Sequence, residues 1–156
     1  MRLKDKTAII VGAGQSPGSG MGNGRATALR FAQEGARIMA VDRDLALAEE
    51  TSSMVKQAGG DSFSFKADVT RESDLAAMIA EAQKRWGRID VLHYNVGVSL
   101  GGGDAPLAEI TEQAFDNVMA INLRGAVVAC KHALPVMRAQ KSGAILMISS
   151  LAAIEN

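Results

Sequence analysis

The sequence predicts an α/β protein: about five parallel strands in one sheet, covered by helices on both faces as three layers, α/β/α. Two observations carry this. Short apolar runs of strand length alternate with helix-length segments along the chain, the pattern of strand–helix–strand units. A glycine-rich stretch also separates the first apolar run from the first helix-like segment, between Thr7 and Gly35. Composition agrees, since 47% hydrophobic against 22% charged residues marks a folded chain and not a disordered one. The 156 residues are read as a single domain, 1–156, large enough for a core.

Thr7–Val11 reads as a buried strand, Gly12–Gly24 as a glycine-rich turn and about Arg25–Glu34 as a helix. Arg37–Asp42 is a second strand. Leu45–Ala58 is helical, with Leu45, Ala48, Thr51 and Val55 near one face and Gly59-Gly60 as the stop. Ser62–Lys66 is a third strand. Thr70 is an N-cap candidate for a helix whose stripe, Leu75, Met78, Ile79 and Ala82, runs to Trp86. Ile89–Tyr94 is a fourth strand, and Gly97–Pro106 is too rich in glycine to be regular. A long helical region covers about Glu112 to Gln140, with Pro135 expected to kink or divide it. Ala144–Ser149 is a fifth strand.

A strand running into glycines and then a helix suits an anion. Glycines let the backbone approach it, and the helix N-terminus aims N–H groups and partial positive charge at it. The strict G-x-G-x-x-G spacing is absent. A looser G-x-x-x-G-x-G fits at Gly14/Gly18/Gly20 and at Gly18/Gly22/Gly24. A flexible surface loop would match as well, so placement between strand and helix is what favours a phosphate site. Asp42, ending the second strand, suits the two hydroxyls of an adenosine ribose. It would repel a 2′-phosphate, which favours NAD over NADP, whereas Arg43 could pair with that phosphate and keeps NADP open. Capping of the next helix is an alternative role for Asp42, and the two roles are compatible.

Four motifs in chain order resemble the short-chain dehydrogenase/reductase family. Gly22-Asn23-Gly24-Arg25-Ala26-Thr27-Ala28 through Gly35-Ala36 resembles its first turn and helix. Trp86-Gly87-Arg88-Ile89-Asp90-Val91-Leu92, then Asn95-x-Gly97, resembles its fourth strand and Asn-Asn-Ala-Gly motif. Asn122-Leu123-x-Gly125 resembles its helix asparagine, and Gly143-x-Ile145-x-x-Ile148-Ser149-Ser150 its serine-bearing strand. The resemblance implies a Rossmann-type doubly wound parallel sheet and NAD(P)-dependent hydride transfer between a secondary alcohol and a ketone.

It also implies roles. Gly12, Gly22 and Gly24 would be the turn glycines, with N–H groups from Gln15 to Asn23 facing a pyrophosphate. Asp42 would hold the ribose, with Arg43 beside it, and Asp68 and Val69 would flank the adenine. Asn95 and Gly97 would line the cofactor. Asn122 would interrupt its helix and leave a carbonyl for a water relay. Ser150, or less readily Ser149, would bind the substrate oxygen, where a fixed hydroxyl stabilises the charge that hydride transfer builds. From the residues alone, the two serines fit a strand end turning into a loop equally well.

Three departures stand out. The stretch from Gly12 to Gly22, which includes Pro17, is longer than the family turn. Tyr94 and Val96 replace the first Asn and the Ala of Asn-Asn-Ala-Gly. The family's Tyr-x-x-x-Lys proton donor has no counterpart: Tyr94 is the single tyrosine, and Val98 stands four residues later. The expectation is therefore an N-terminal portion of a longer enzyme, lacking C-terminal elements of the sheet and inactive alone. A non-catalytic dinucleotide-binding or interaction module is the rival reading. A methyltransferase would share the glycine turn and acid but leaves Asn122 and Ser149-Ser150 without a role.

Formal net charge is zero, with 17 basic and 17 acidic residues, which argues against nucleic acid held by bulk electrostatics. No apolar run reaches membrane-spanning length, and MRLKDKTAIIV has no signal-peptide character. A soluble cytoplasmic protein without a membrane partner is expected, acting on a small-molecule alcohol or ketone. The region 112–141 resembles the family's dimer-forming helices, so a homo-oligomer, dimer or tetramer, is expected. Cys130 reads as a core thiol and the eight methionines as a Met-rich core. His93 and His132 fit no catalytic constellation, and no metal is expected.

Overall fold

The computed structural model describes residues 1–15, 18 and 20–150. Five parallel strands form one sheet in the order β3-β2-β1-β4-β5: β1 Thr7–Val11, β2 Arg37–Asp42, β3 Ser62–Lys66, β4 Val91–Tyr94 and β5 Ala144–Met147. The helices are α1 Asn23–Gln33, α2 Leu45–Gln57, α3 Glu72–Trp86, α4 Glu112–Met119 and α5 Gly125–Gln140. One face of the sheet presents Ile9, Val11, Met39, Leu92 and Tyr94 to Leu75 and Met78 of α3 and to Ala129 and Ala133 of α5. The other presents Ala8, Ile10, Ile38 and Ala40 to Ala28 of α1 and Val55 of α2. This is the three-layer arrangement expected, and it buries β1 on both faces.

β1 pairs with β2 on one side and β4 on the other. After β3 the chain crosses back over β1 to build the second half of the sheet. That reversal of strand order opens a crevice at the carboxyl ends of β1 and β4, where open α/β sheets bind ligands.

At the opposite end, Asp90 ties β1 to β4. Its buried carboxylate accepts from the Thr7 N–H at 2.9 Å and from Arg88 Nε at 2.9 Å. Burial pushes this carboxyl up, but Arg88 and Thr7 outweigh it and hold it below the ordinary range.

Several local expectations are corrected. Thr70 does not cap α3. Arg71 holds that position without a side-chain bond, because the Asp68 carboxylate takes both the N–H (2.9 Å) and the hydroxyl (2.7 Å) of Thr70. Pro135 lies inside α5 without dividing it. It is exposed, so the carbonyl one turn back can be hydrated. The interruption falls at a π-turn, Ala120–Arg124, which holds Asn122, where the resemblance implied a helix break. Met39, Met78 and Met137 are buried, but Met1, Met21, Met119 and Met147 are exposed, so the core is only partly methionine-built. Cys130 is half-buried, and burial raises its thiol pKa.

Candidate functional site

The glycine turn begins as soon as β1 ends. The N–H groups of Gly12 and Ala13 both donate to the Val41 carbonyl, each at 2.9 Å, and hook the turn onto β2. Gly12 takes a left-handed φ of +81°, and a Cβ there would stand 2.9 Å from Val96 Cγ2. A Cβ on Gly24 would run into the carbonyl oxygen of Gly12. Glycine at both positions lets the start of α1 rest on the end of β1.

Gly22 is the N-cap of α1, with no side-chain cap among the described residues, so the first-turn N–H groups are not taken by a capping side chain. Gln15 braces the turn from inside: its Oε1 accepts from the Gly22 N–H at 2.6 Å, and its Nε2 donates to the Gly20 carbonyl at 2.8 Å. The expected run of N–H groups between Gln15 and Asn23 includes Ser16, Pro17 and Ser19, which lie outside the described residues.

The peptide joining Ala13 to Gly14 is fixed at both ends. Its N–H donates to Asp42 Oδ2 at 2.9 Å, and its carbonyl accepts from the Thr51 hydroxyl at 2.8 Å. Thr51 Oγ1 in turn accepts from Arg25 Nε at 2.9 Å, and Arg25 pairs with Glu50 at 2.6 Å. Arg25 is only 6% exposed, so this link between α1, α2 and the turn is internal and shielded from competing water. Sequence reasoning missed it. Arg25 passed as part of a motif, and Thr51 as one more member of an amphipathic stripe.

Asp42 lines the crevice. Its second oxygen accepts from the Asp44 N–H at 3.1 Å. The cap of α2 is Asp44, whose carboxylate accepts from the Ala46 N–H at 3.0 Å, so capping is not the role of Asp42. Arg43 is exposed at the rim. Asp68 and Val69 form the far wall, and the hydroxyl and N–H of Thr70 hold the Asp68 carboxyl below its ordinary pKa.

Asn95 closes the other side, with its N–H on the Val11 carbonyl (2.9 Å) and Nδ2 on the Gly12 carbonyl (3.2 Å). Gly97 lines the crevice beside it. The whole encloses about 590 Å³, within the roughly 300–1,000 Å³ of small-molecule sites. Ten of the named residues therefore share one crevice: Gly12, Gln15, Gly22, Gly24, Asp42, Arg43, Asp68, Val69, Asn95 and Gly97.

Four candidates are not on that lining. Asn23 is exposed at the start of α1. Asn122 sits in the π-turn, where its amide brackets Val98: Oδ1 accepts from the Val98 N–H at 2.8 Å and Nδ2 donates to the Val98 carbonyl at 2.7 Å. Ser149 and Ser150 follow β5 at the same sheet edge as the crevice, where the Ile148 N–H donates to the Tyr94 carbonyl at 3.1 Å. Asn117, Val98 and Ile121 also line the crevice. They come from the helix and loop after β4, and only the fold brings them there. No group of three or more His, Cys, Asp or Glu side chains that could hold a metal occurs among the described residues.

Sheet order, crevice and turn together define a Rossmann-type α/β protein. The chain belongs to the short-chain dehydrogenase/reductase family, whose short chain dehydrogenase model matches residues 6–156. It is 37% identical over 151 residues to the 2-(R)-hydroxypropyl-CoM dehydrogenase of Xanthobacter autotrophicus, covering 96% of this chain and 58% of that protein. It is 36% identical over 150 residues to an uncharacterized oxidoreductase of Bacillus subtilis, covering 96% and 52%. Among solved structures, a short-chain dehydrogenase/reductase from Burkholderia xenovorans superposes with a TM-score of 0.93 at 40% identity, covering 99% of this chain and 60% of that one. A 7α-hydroxysteroid dehydrogenase complexed with NADH and 7-oxo glycochenodeoxycholic acid superposes with a TM-score of 0.89 at 30% identity, covering 99% and 57%. The chain thus spans between half and three-fifths of the length of these relatives.

Proposed function

We propose that this chain is the dinucleotide-binding part of an NAD(P)-dependent oxidoreductase that moves a hydride between a secondary alcohol and a ketone. The observation that carries the reading is the single crevice bounded by the glycine turn on one side and the Asp42 carboxylate on the other. Its residues fit an extended dinucleotide. The absence of Cβ atoms at Gly12 and Gly24, with a helix N-terminus that has no side-chain cap among the described residues, suits a pyrophosphate. Asp42 suits the ribose hydroxyls, while Asp68 and Val69 flank an adenine. Asn95 and Gly97 border the remainder.

NAD is the favoured form, because a 2′-phosphate would meet the Asp42 carboxylate. Arg43 at the rim could pair with that phosphate and keeps NADP open. Bound there, the dinucleotide would supply or accept the hydride. Ser150 donates its hydroxyl to the substrate oxygen, and Asn122 holds the loop at Val98 in place. The proton is moved by a Tyr-x-x-x-Lys pair in the remaining length of the whole protein, where the lysine's charge lowers the tyrosine's pKa. The 156 residues alone would not turn over.

Among the described residues no helix is long and apolar enough to cross a membrane, and a cytoplasmic site is proposed. Phe115, Met119, Leu123 and Val127 stand exposed along α4, the π-turn and α5. Large exposed apolar stripes mark interfaces, and a second copy is the proposed occupant. Titration of the full-length protein with NADH and NADPH, followed by a panel of ketones, tests the reading. Binding of neither dinucleotide would refute it. Binding without turnover by the full-length protein would favour a non-catalytic module.

A further inference from the structure

We propose that the Tyr94 hydroxyl is a positioning group: it holds the π-turn 120–124, and through Asn122 and Val98 it sets one wall of the crevice. Tyr94, with Val96, departs from the family's Asn-Asn-Ala-Gly motif. It ends β4 with its side chain 2% exposed in the core. The hydroxyl donates to the Ile121 carbonyl at 2.7 Å. An asparagine at this position is too short to make that bond.

Ile121 lies within the π-turn, where the Gly125 N–H bonds the carbonyl of Ala120, five residues back. Such turns are rare and recur at functional sites. The bond from the neighbouring strand gives this one external support on its main chain, beside the side-chain bonds of Asn122 to Val98 and of Arg124 to the Thr70 carbonyl. Gly125 completes the arrangement, because a Cβ there would collide with the Tyr94 hydroxyl and approach the Val69 carbonyl to 3.0 Å. Tyr94 and Gly125 therefore go together: the strand sends a hydroxyl into the helix, and the helix leaves a gap to receive it.

The consequence reaches the crevice. Asn122 projects from the same turn, and its two bonds to Val98 fix the backbone that follows Gly97. Both Ile121 and Val98 line the crevice. Without the hydroxyl, the Ile121 carbonyl loses this partner, in a residue that belongs to the same buried cluster as Val69 and Ala126. The turn then gains by relaxing toward ordinary helix, which rotates Asn122 away from Val98. Burial also keeps the hydroxyl protonated, and so a donor, across the working pH range.

The test uses the full-length protein, its Tyr94→Phe, Asn122→Ala and Gly125→Ala variants, and amide hydrogen exchange without ligand. Tyr94→Phe should speed exchange at the Val98 amide about five-fold, the effect of losing one neutral hydrogen bond, while amides of β1 and β2 keep their protection. Asn122→Ala should speed it at least as much, and Gly125→Ala should act locally in the same direction. The proposal is overturned if Val98 in Tyr94→Phe exchanges as in the wild type while Asn122→Ala does not. It is overturned equally if exchange rises uniformly through the sheet. The crevice's occupant rests on the dinucleotide reading, under which NADH affinity falls in the same order. Because exchange is read without ligand, a wild type that binds no NADH would refute that reading and leave the Val98 comparison decisive.

Discussion

Gly24→Ala puts the smallest possible group at the point where α1 meets β1. The added Cβ would overlap the Gly12 carbonyl oxygen and lie 2.9 Å from Asn95 Nδ2. Neither neighbour is a flexible side-chain end: one is backbone, and the other is held on that same carbonyl. The start of α1 must therefore withdraw from the turn. Overpacking of this kind costs about 1–3 kcal/mol of stability. The larger effect falls on ligand binding, since charge-assisted bonds to a phosphate contribute about 1.5–3 kcal/mol each. Losing one of them predicts a fall in NADH affinity of roughly ten- to two-hundred-fold. Gly20→Ala is the control, because a Cβ there meets none of the described residues within 4 Å. Fluorescence titration with NADH, alongside urea unfolding, reads both variants in the full-length protein. A Gly24→Ala protein that binds NADH as the Gly20→Ala protein does would refute the reasoning.

Asp42→Ala should weaken NADH about ten-fold or more while NADPH loses less, and parallel titrations that shift equally would deny Asp42 a role in cofactor choice. Thr51→Val keeps the shape of the side chain but removes the bond to the Ala13 carbonyl and the acceptor for Arg25; urea unfolding should show a loss of about 1–3 kcal/mol. Asp90→Ala leaves the buried Thr7 N–H unpaired, for a similar loss near neutral pH. The folded-state pKa of Asp90 is lowered, so its stabilisation is complete above the unfolded value near pH 4 and disappears as pH falls through the folded value. Unfolding measured from pH 6 down to pH 2 should therefore show a steeper acid loss for the wild type than for Asp90→Ala. Replacing Phe115 and Leu123 together by Glu should shift an oligomer toward monomer in light scattering.

The strands were legible because each is a short apolar run between turn residues. Their order was legible only through the family resemblance, since nothing in the run Ile89–Tyr94 says that it pairs with Thr7–Val11. The glycine turn was readable from placement, and the structure adds the reason: Gly12 and Gly24 occupy one contact. Arg25 was not readable, because an arginine in a first helical turn ordinarily reaches solvent, and only Thr51 and Glu50 of α2 make burial tolerable. Pro135 misled, since a proline on an exposed helix face leaves a carbonyl that water can satisfy. The interruption at 120–124 was legible through the resemblance, which puts Asn122 at a helix break; the Tyr94 bond to the Ile121 carbonyl, a contact between distant parts of the chain, was not. β5 carries exposed Leu146 and Met147, which no local pattern distinguishes from the buried apolar runs of β1 and β2.

The central claim is that the amides of the turn between β1 and α1 receive a diphosphate while Asp42 grips the adjoining ribose. A crystal structure of the full-length protein grown with NAD tests it most directly. The account predicts pyrophosphate oxygens within hydrogen-bond distance of backbone N–H groups at the start of α1, with both ribose hydroxyls on the Asp42 carboxylate. Density for the dinucleotide elsewhere, or a ribose out of reach of Asp42, would contradict it.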